Sequence, residues 1–320
     1  MTTTRRARRP LLATALVLAP LATTLGAQGG APPGQEALAL AYLRVDHAVA
    51  ARPLAPDAVA PFHAAFDRAT LAFFTGRAAQ ATATLDSLAR VAAGSDAAYA
   101  AADREARTAL AQAPMSVRRL VVGGDTIPWR LFVHTGGGYA ARAPRPLVVA
   151  LHGAGTNEHA FSIAYGAGEL LRVAQARGLV VAMPFTNAFT RDGGARLDAL
   201  LQAVAEATPV DTTRIALVGH SLGGIVGSQL AAARPARVAA LACLAAPCPA
   251  VPGVEAPVLA VAAEGDLVIP LARVRGAVEA ARAAGRPAVE LRTLPGQGHT
   301  LMVGPALAPA IDWLLARLRR

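Results

Sequence analysis

A serine set between two glycines is the residue of this sequence with the clearest chemical meaning. Ser221 lies in Gly219-His220-Ser221-Leu222-Gly223, after a short apolar run at residues 215–218 and before an Ala- and Leu-rich pattern of helical period. A side chain at either glycine would collide with the neighbouring strand or helix, so the spacing predicts strand, sharp turn and helix. A serine at such an apex is suited to nucleophilic attack. The alternative is a plain Gly-rich turn.

The elements around this serine alternate between strands and helices along residues 116–320. Residues 119–122 and 126–134 alternate in polarity like a hairpin joined at Gly123-Gly124-Asp125. Later apolar runs are typical of buried parallel strands, and helical patterns separate them. The predicted strands are residues 147–151, 179–183, 215–218, 238–243, 258–263 and 289–293, and the predicted helices are residues 168–177, 194–207, 222–233, 271–284 and 306–318. This order predicts an antiparallel entry hairpin and then a mostly parallel, doubly wound sheet.

The chain order of four motifs resembles the α/β-hydrolase fold over residues 117–320. A glycine-bearing loop, the serine turn, an acidic turn and a histidine each follow a predicted strand, in that order. The resemblance implies a serine hydrolase with a catalytic triad. Residues 147–155 and 210–235 most resemble the polyhydroxybutyrate depolymerase, feruloyl esterase and phospholipase/carboxylesterase type, which implies a carboxylic ester as the substrate.

The resemblance also implies a role for each triad residue. Ser221 is the nucleophile, and His299, in Gly296-Gln297-Gly298-His299, is the general base. Asp266 takes the place of the acid in the turn after residues 258–263, with Glu264 as the runner-up. The glycine that the family often has at this strand exit is replaced by Ala263. The acid orients the imidazole and stabilises its charged form.

Two backbone amides are implied as an oxyanion hole. Ester hydrolysis passes through a tetrahedral species whose oxygen becomes negative, and each preset N–H donor stabilises it by about 3–4 kcal/mol. The resemblance assigns one donor to Leu222. The other is Ala154, or alternatively Gly155, in Leu151-His152-Gly153-Ala154-Gly155. We expect His152 to order this loop rather than to act as a base.

The first 27 residues have the pattern of an export signal. Four arginines precede an apolar core that ends near Leu25-Gly26-Ala27, a small-residue cleavage site. Arg8-Arg9 also fits a loose twin-arginine pattern. The alternative is an anchoring helix. We expect a secreted or periplasmic protein.

Residues 28–115 are predicted to form a helical segment after a Gly- and Pro-rich linker at residues 28–34. Amphipathic runs fill residues 35–114 and are interrupted by Pro53, Pro56, Gly76 and Gly94-Ser95. The segment is a cap over the active site, a partner-binding surface or a packing appendage. Only residues 244–257 separate two later strands, which leaves little room for an inserted lid. The site is therefore expected to be open or covered by these helices.

Composition and motifs narrow the choice of partners. The net charge is +10, but all 31 basic residues are arginines and they are scattered, which argues against a nucleic-acid partner. After the N-terminus no apolar run reaches the roughly 18–20 residues that cross a bilayer. We find no metal cluster, phosphate-binding loop or dinucleotide fingerprint, so no cofactor is expected. Cys243 and Cys248 either form a small disulfide or remain two buried thiols.

The sequence thus favours a secreted serine hydrolase that cleaves small or polymeric carboxylic esters through an acyl-enzyme. Two alternatives stay open: a peptidase on the same fold, and a catalytically silent binding or scaffold protein.

Overall fold

A mixed eight-stranded sheet forms the centre of the C-terminal two thirds of the chain. Its order is β1-β2-β4-β3-β5-β6-β7-β8, with β1 and β2 antiparallel to their neighbours and β3 to β8 mutually parallel. The strands are β1 Val117–Val122, β2 Asp125–Val133, β3 Leu147–Leu151, β4 Val180–Pro184, β5 Ile215–His220, β6 Val238–Leu244, β7 Val258–Ala263 and β8 Val289–Leu294. The predicted entry hairpin and doubly wound sheet are confirmed.

The structure, a computed structural model, describes residues 33–134, 144–286 and 288–318. The expected export signal at residues 1–27 lies outside the described residues, as does most of the expected linker. The helices are α1 Pro33–Ala51, α2 Pro56–Phe74, α3 Ala78–Ala93, α4 Asp96–Gln112, α5 Tyr165–Arg177, α6 Gly193–Ala207, α7 Leu222–Ala233, α8 Leu271–Ala283 and α9 Val303–Leu318. Across these described ranges, no helix is both long enough and apolar enough to span a membrane.

The two faces of the sheet carry two separate hydrophobic cores. In β3, Leu147, Val149 and Leu151 point to one face, where α6, α7 and α8 pack, and Val148 and Ala150 point to the other, where α5 and α9 pack. All five residues are buried. Burial on both faces explains why the strand reads as an unbroken apolar run rather than an alternating one.

Helices α1 to α4 share a third core, which includes one residue from the C-terminal part of the chain. Phe66 of α2 and Leu85 of α3 are buried in it, and Leu301, two residues beyond His299, is buried with them. Arg44 of α1 joins Asp86 and Asp103 through ion pairs of 2.7 and 2.6 Å. The helical segment is therefore held together internally and is packed onto the end of the sheet that carries the histidine.

Several predicted boundaries differ from the structure. Pro56, expected to interrupt the helical pattern, instead begins helix α2, because proline suits the first turn of a helix, and Pro61 lies within it. Helix α9 begins three residues before the predicted start. Helix α5 begins irregularly, with positive φ at residues 166–168, and Asp46 of α1 accepts a hydrogen bond from the N–H of Gly166 at 3.3 Å. Short helical turns at Ala160–Ala164 and Thr186–Thr190 were too short for periodicity to predict.

The two cysteines form a disulfide between the end of β6 and the loop that follows. The Cα atoms of Cys243 and Cys248 are 6.2 Å apart. The structure thus decides between the two alternatives that the sequence left open.

Helix α7 begins in direct backbone contact with the end of β3. A Cβ atom on Gly223 would lie 1.8 Å from the carbonyl oxygen of Leu151 and 2.8 Å from that of His152. Neither neighbour is the end of a flexible side chain, so any larger residue at position 223 must move one of the two backbones.

We therefore predict that Gly223→Ala lowers the free energy of unfolding by at least about 3 kcal/mol, or prevents folding. The control is Gly276→Ala in the exposed part of α8, where no atom lies within 4 Å of the new Cβ. It should raise stability by roughly 0.5–1 kcal/mol because alanine is the better helix former. Chemical denaturation measures both, and equal effects would contradict the close approach.

Candidate active site

Ser221 occupies the sharp turn that its glycine spacing predicts. It follows β5, precedes α7 and has a φ of +52° and a ψ of −116°. The backbone of any residue other than glycine is strained at this φ, and such conformations persist only where the surrounding structure enforces them. Here the contact between Gly223 and Leu151 does so. Ser221 is half-buried, so its hydroxyl is at the surface of the sheet end rather than in the core.

The structure places Asp266, and not Glu264, against His299. Nδ1 of His299 lies 2.8 Å from Oδ2 of Asp266, and both residues are buried. The other carboxylate oxygen of Asp266 accepts hydrogen bonds from the N–H groups of Val268 and Ile269 at 2.8 and 2.7 Å. Glu264 is exposed and accepts from the N–H of Gly296 at 3.2 Å. The amides orient Asp266, and Asp266 in turn orients the imidazole.

His220 connects the serine turn to His299 and to the glycine-bearing loop. Its ring lies against that of His299, with centroids 4.8 Å apart, and its Nε2 lies 3.2 Å from the carbonyl oxygen of His299. The Tyr165 hydroxyl accepts from the N–H of Gly153 at 3.2 Å and lies 2.8 Å from Nδ1 of His220. Nδ1 is thus the acceptor and Nε2–H the donor, which requires a neutral ring. Burial holds the pKa of His220 well below its usual value, in agreement with this tautomer.

The predicted oxyanion donors lie at the junction of α7 and the loop after β3. Leu222 is the first residue of α7, so its N–H has no partner inside the helix. Ala154 follows Gly153 and is half-buried. The contact between Gly223 and the end of β3 brings these two segments together. Their role as oxyanion donors stays a prediction.

His152 orders the loop that carries Ala154. Its Nε2 accepts a hydrogen bond from the N–H of Thr186 at 2.9 Å, and its Nδ1 lies 2.9 Å from the carbonyl oxygen of Gly153. Burial lowers the pKa of His152 to about 4, so the ring is neutral at pH 7. With both nitrogens engaged by the backbone, His152 has the loop-ordering geometry expected of it.

Helix α2 lies along the edge of the sheet where these groups meet. At its start, Val59 and Ala60 lie next to Gly296. In its middle, His63 accepts from the N–H of Gly298 and Asp67 accepts from that of His299. Near its end, Phe73 lies against Gly155. A Cβ atom on Gly155 would be 2.6 Å from Cε1 of Phe73. Helix α2 therefore contacts the loops that carry Gly155 and His299.

Sequence reasoning missed both polar side chains of α2. His63 Nδ1 accepts a hydrogen bond from the N–H of Gly298 at 2.9 Å, and the Asp67 carboxylate accepts from the N–H of His299 at 3.0 Å. Each partner is more than 200 residues away. The available signal was the spacing of a histidine and an aspartate at i and i+4 among the apolar residues of one helix face. Within the described residues, no group of three or more His, Cys, Asp or Glu side chains could hold a metal ion.

Solved structures resemble this arrangement of strands and helices. A thermostable esterase aligns with a TM-score of 0.50 and 21% identity, over 63% of this chain and 62% of its own. An S-formylglutathione hydrolase from Agrobacterium tumefaciens aligns with a TM-score of 0.52 and 17% identity, over 63% and 94%. A ferulic acid esterase aligns with a TM-score of 0.53 and 13% identity, over 63% and 97%. The protein has the α/β-hydrolase fold.

A family model adds to this identification. Residues 169–304 of this α/β-hydrolase match the model described as Dienelactone hydrolase family. The matched range is less than half of the chain and contains Ser221, Asp266 and His299. A search of curated proteins found no match. The chain also spans less than two thirds of the thermostable esterase.

The buried histidine of α2 predicts a specific pH dependence of stability. Burial lowers the pKa of His63 to about 4, and its unprotonated Nδ1 accepts from Gly298. Between about pH 6.5 and 4 the unfolded chain binds a proton at this residue and the folded protein does not. Stability from His63 is therefore complete above this window and is lost as the pH falls through it, by an amount on the order of 3 kcal/mol.

His63→Asn keeps an acceptor and does not titrate, so the decrease in stability from pH 6.5 to 4 should be smaller in the variant. Urea denaturation at several pH values measures both proteins. Above pH 7 the free energy of unfolding should change with pH in the same way in both proteins, which serves as the internal control. The same pH dependence in both proteins down to pH 4 would contradict the assignment of this stability loss to His63.

Proposed function

We propose that this chain is an exported serine hydrolase that cleaves carboxylic esters, with Ser221 as nucleophile, His299 as general base and Asp266 as the orienting acid. The observation that carries the proposal is the buried hydrogen bond of 2.8 Å between Asp266 and His299, whose ring lies against that of His220, the residue before the strained Ser221. Backbone strain clusters at active sites, and a carboxylate bound to an imidazole is the arrangement that orients a general base.

The geometry suggests the role of each group. Nδ1–H of His299 donates to Asp266, which leaves Nε2 to take the Ser221 proton as Oγ attacks the ester carbonyl. The carbonyl oxygen becomes negative, and the N–H groups of Leu222 and Ala154 are the proposed donors to it. His299 then gives the proton to the departing alcohol. A water molecule, deprotonated by the same imidazole, releases the acid from the acyl-enzyme.

The names of the similar structures support an ester or a thioester as the hydrolysed group. Two of the three similar structures carry the name esterase, and the third hydrolyses S-formylglutathione, a thioester. The identities are 13–21%, so the acyl and alcohol parts of this chain's substrate are open to experiment. A small ester and a polymer are both compatible with the proposal.

Export to an oxidising compartment is part of the proposal. The signal-like pattern of residues 1–27 supports it, and so does the disulfide between Cys243 and Cys248, because structural disulfides persist mainly outside the cytosol.

The test is labelling with a fluorophosphonate together with hydrolysis of p-nitrophenyl esters by the mature protein. Ser221→Ala should abolish labelling and lower turnover to near background, because no nucleophile remains. The matched control is Ser228→Ala in α7, the helix that follows Ser221, where the buried hydroxyl donates to the carbonyl oxygen of Gly224. It should keep both signals. Turnover that survives Ser221→Ala would contradict the mechanism.

The choice of acid has its own test. Asp266→Asn should lower kcat by about 10³–10⁴-fold, since the imidazole loses its orienting carboxylate. Glu264→Gln, two residues away and exposed, should stay within a few-fold of the wild type. The reverse order would transfer the role to Glu264.

Faster cleavage of aminoacyl anilides than of esters would indicate a peptidase, and an unlabelled wild type would indicate a scaffold.

A further inference from the structure

The two loops that carry Asp266 and His299 are joined by a carboxylate from outside the sheet. Oδ2 of Asp67 accepts a hydrogen bond from the N–H of Leu267, and both of its oxygens lie 3.0 Å from the N–H of His299. Leu267 is the residue after Asp266. One carboxylate of α2 therefore contacts the main chain of the histidine and the main chain next to its acid.

The fit around Asp67 is close. The Cα atom of Gly298 lies so near the Asp67 carboxylate that a Cβ atom on it would be 3.0 Å from both carboxylate oxygens. Asp67 is 1% exposed, so these hydrogen bonds are shielded from water. Beside it, His63 accepts from the N–H of Gly298 at 2.9 Å, so α2 binds two consecutive N–H groups of the histidine loop.

The other contacts between these two loops lie on one side of Asp266. The N–H of Gly265 donates to the carbonyl oxygen of Gln297 at 2.9 Å, and the N–H of Glu264 donates to that of Leu294 at 3.1 Å. Glu264 also accepts from the N–H of Gly296 at 3.2 Å. The Asp67 carboxylate adds a contact at Leu267, on the other side of Asp266, and joins it to the main chain of His299 itself.

We infer that Asp67 is a positioning residue that aligns the hydrogen bond between Asp266 and His299, and that helix α2 thereby supports the proposed catalytic residues. This inference rests on the proposed function for its kinetic consequence, and on the geometry alone for its structural one. Burial raises the pKa of Asp67, whereas the N–H groups of Leu267 and His299 lower it.

Asp67→Asn is the main test because it keeps the shape and replaces one acceptor oxygen by an N–H₂ donor. That donor would face the N–H of Leu267 or of His299. We expect the low-field proton NMR signal of His299 Nδ1–H, assigned by its loss in Asp266→Asn, to shift or disappear. We also expect kcat to fall on the order of 10²-fold with KM within a few-fold, because a small misplacement of a reacting group has this effect.

The matched control is Asp103→Asn, which removes a carboxylate that holds Arg44 and Arg107 in the same helical segment, away from the triad. It should lower thermal stability and leave both the proton signal and kcat unchanged. If the control changes them as much as Asp67→Asn does, the effect is general loosening of the helices and the inference is overturned.

A second variant keeps the inference testable if Asp67→Asn does not fold. Asp67→Glu retains the charge and moves it by one methylene group. Hydrogen exchange of the Leu267 and His299 amides reports whether their contacts with residue 67 are lost. If either amide exchanges faster than in the wild type, kcat of the variant should be lower. Faster exchange with an unchanged His299 signal and unchanged kcat would overturn the inference. A shifted signal in a protein whose wild type hydrolyses no ester would instead refute the proposed function and leave the positioning role intact.

Discussion

The close approach of two backbone segments is the constraint on which the active site depends. The start of α7 lies so near the end of β3 that Gly223 has no room for a side chain, and the chain can make this approach only by the sharp turn at Ser221. The same contact brings Leu222 to the loop that carries Ala154. One steric condition therefore sets the position of the predicted nucleophile and of both predicted oxyanion donors.

A network of buried hydrogen bonds transmits this geometry to the histidine. Gly153, Tyr165 and His220 form a chain that ends on the carbonyl oxygen of His299, and Asp67 accepts from the N–H of the same residue. His299 is thus held at its main chain from two sides and at its ring by Asp266. Helix α2 of the N-terminal segment supplies part of this support, through its contacts with Gly298 and His299.

The sequence predicted the fold well because its local signals agreed with one another. Apolar runs on both faces of the sheet marked the parallel strands, and the glycines around Ser221 marked the turn. Asp266 and His299 could be singled out because each follows a strand at the same sheet edge. The contacts of His63 and Asp67 could not be predicted, since they join residues more than 200 positions apart and depend on how α2 packs.

The most direct measurement is the structure of the protein after reaction with a small phosphonate. We expect phosphorus on Oγ of Ser221, a phosphonyl oxygen within hydrogen-bond distance of the N–H groups of Leu222 and Ala154, and His299 still bound to Asp266. Helix α2 should keep Asp67 on the N–H groups of Leu267 and His299. An adduct on another residue, or a phosphonyl oxygen turned away from both amides, would contradict the account.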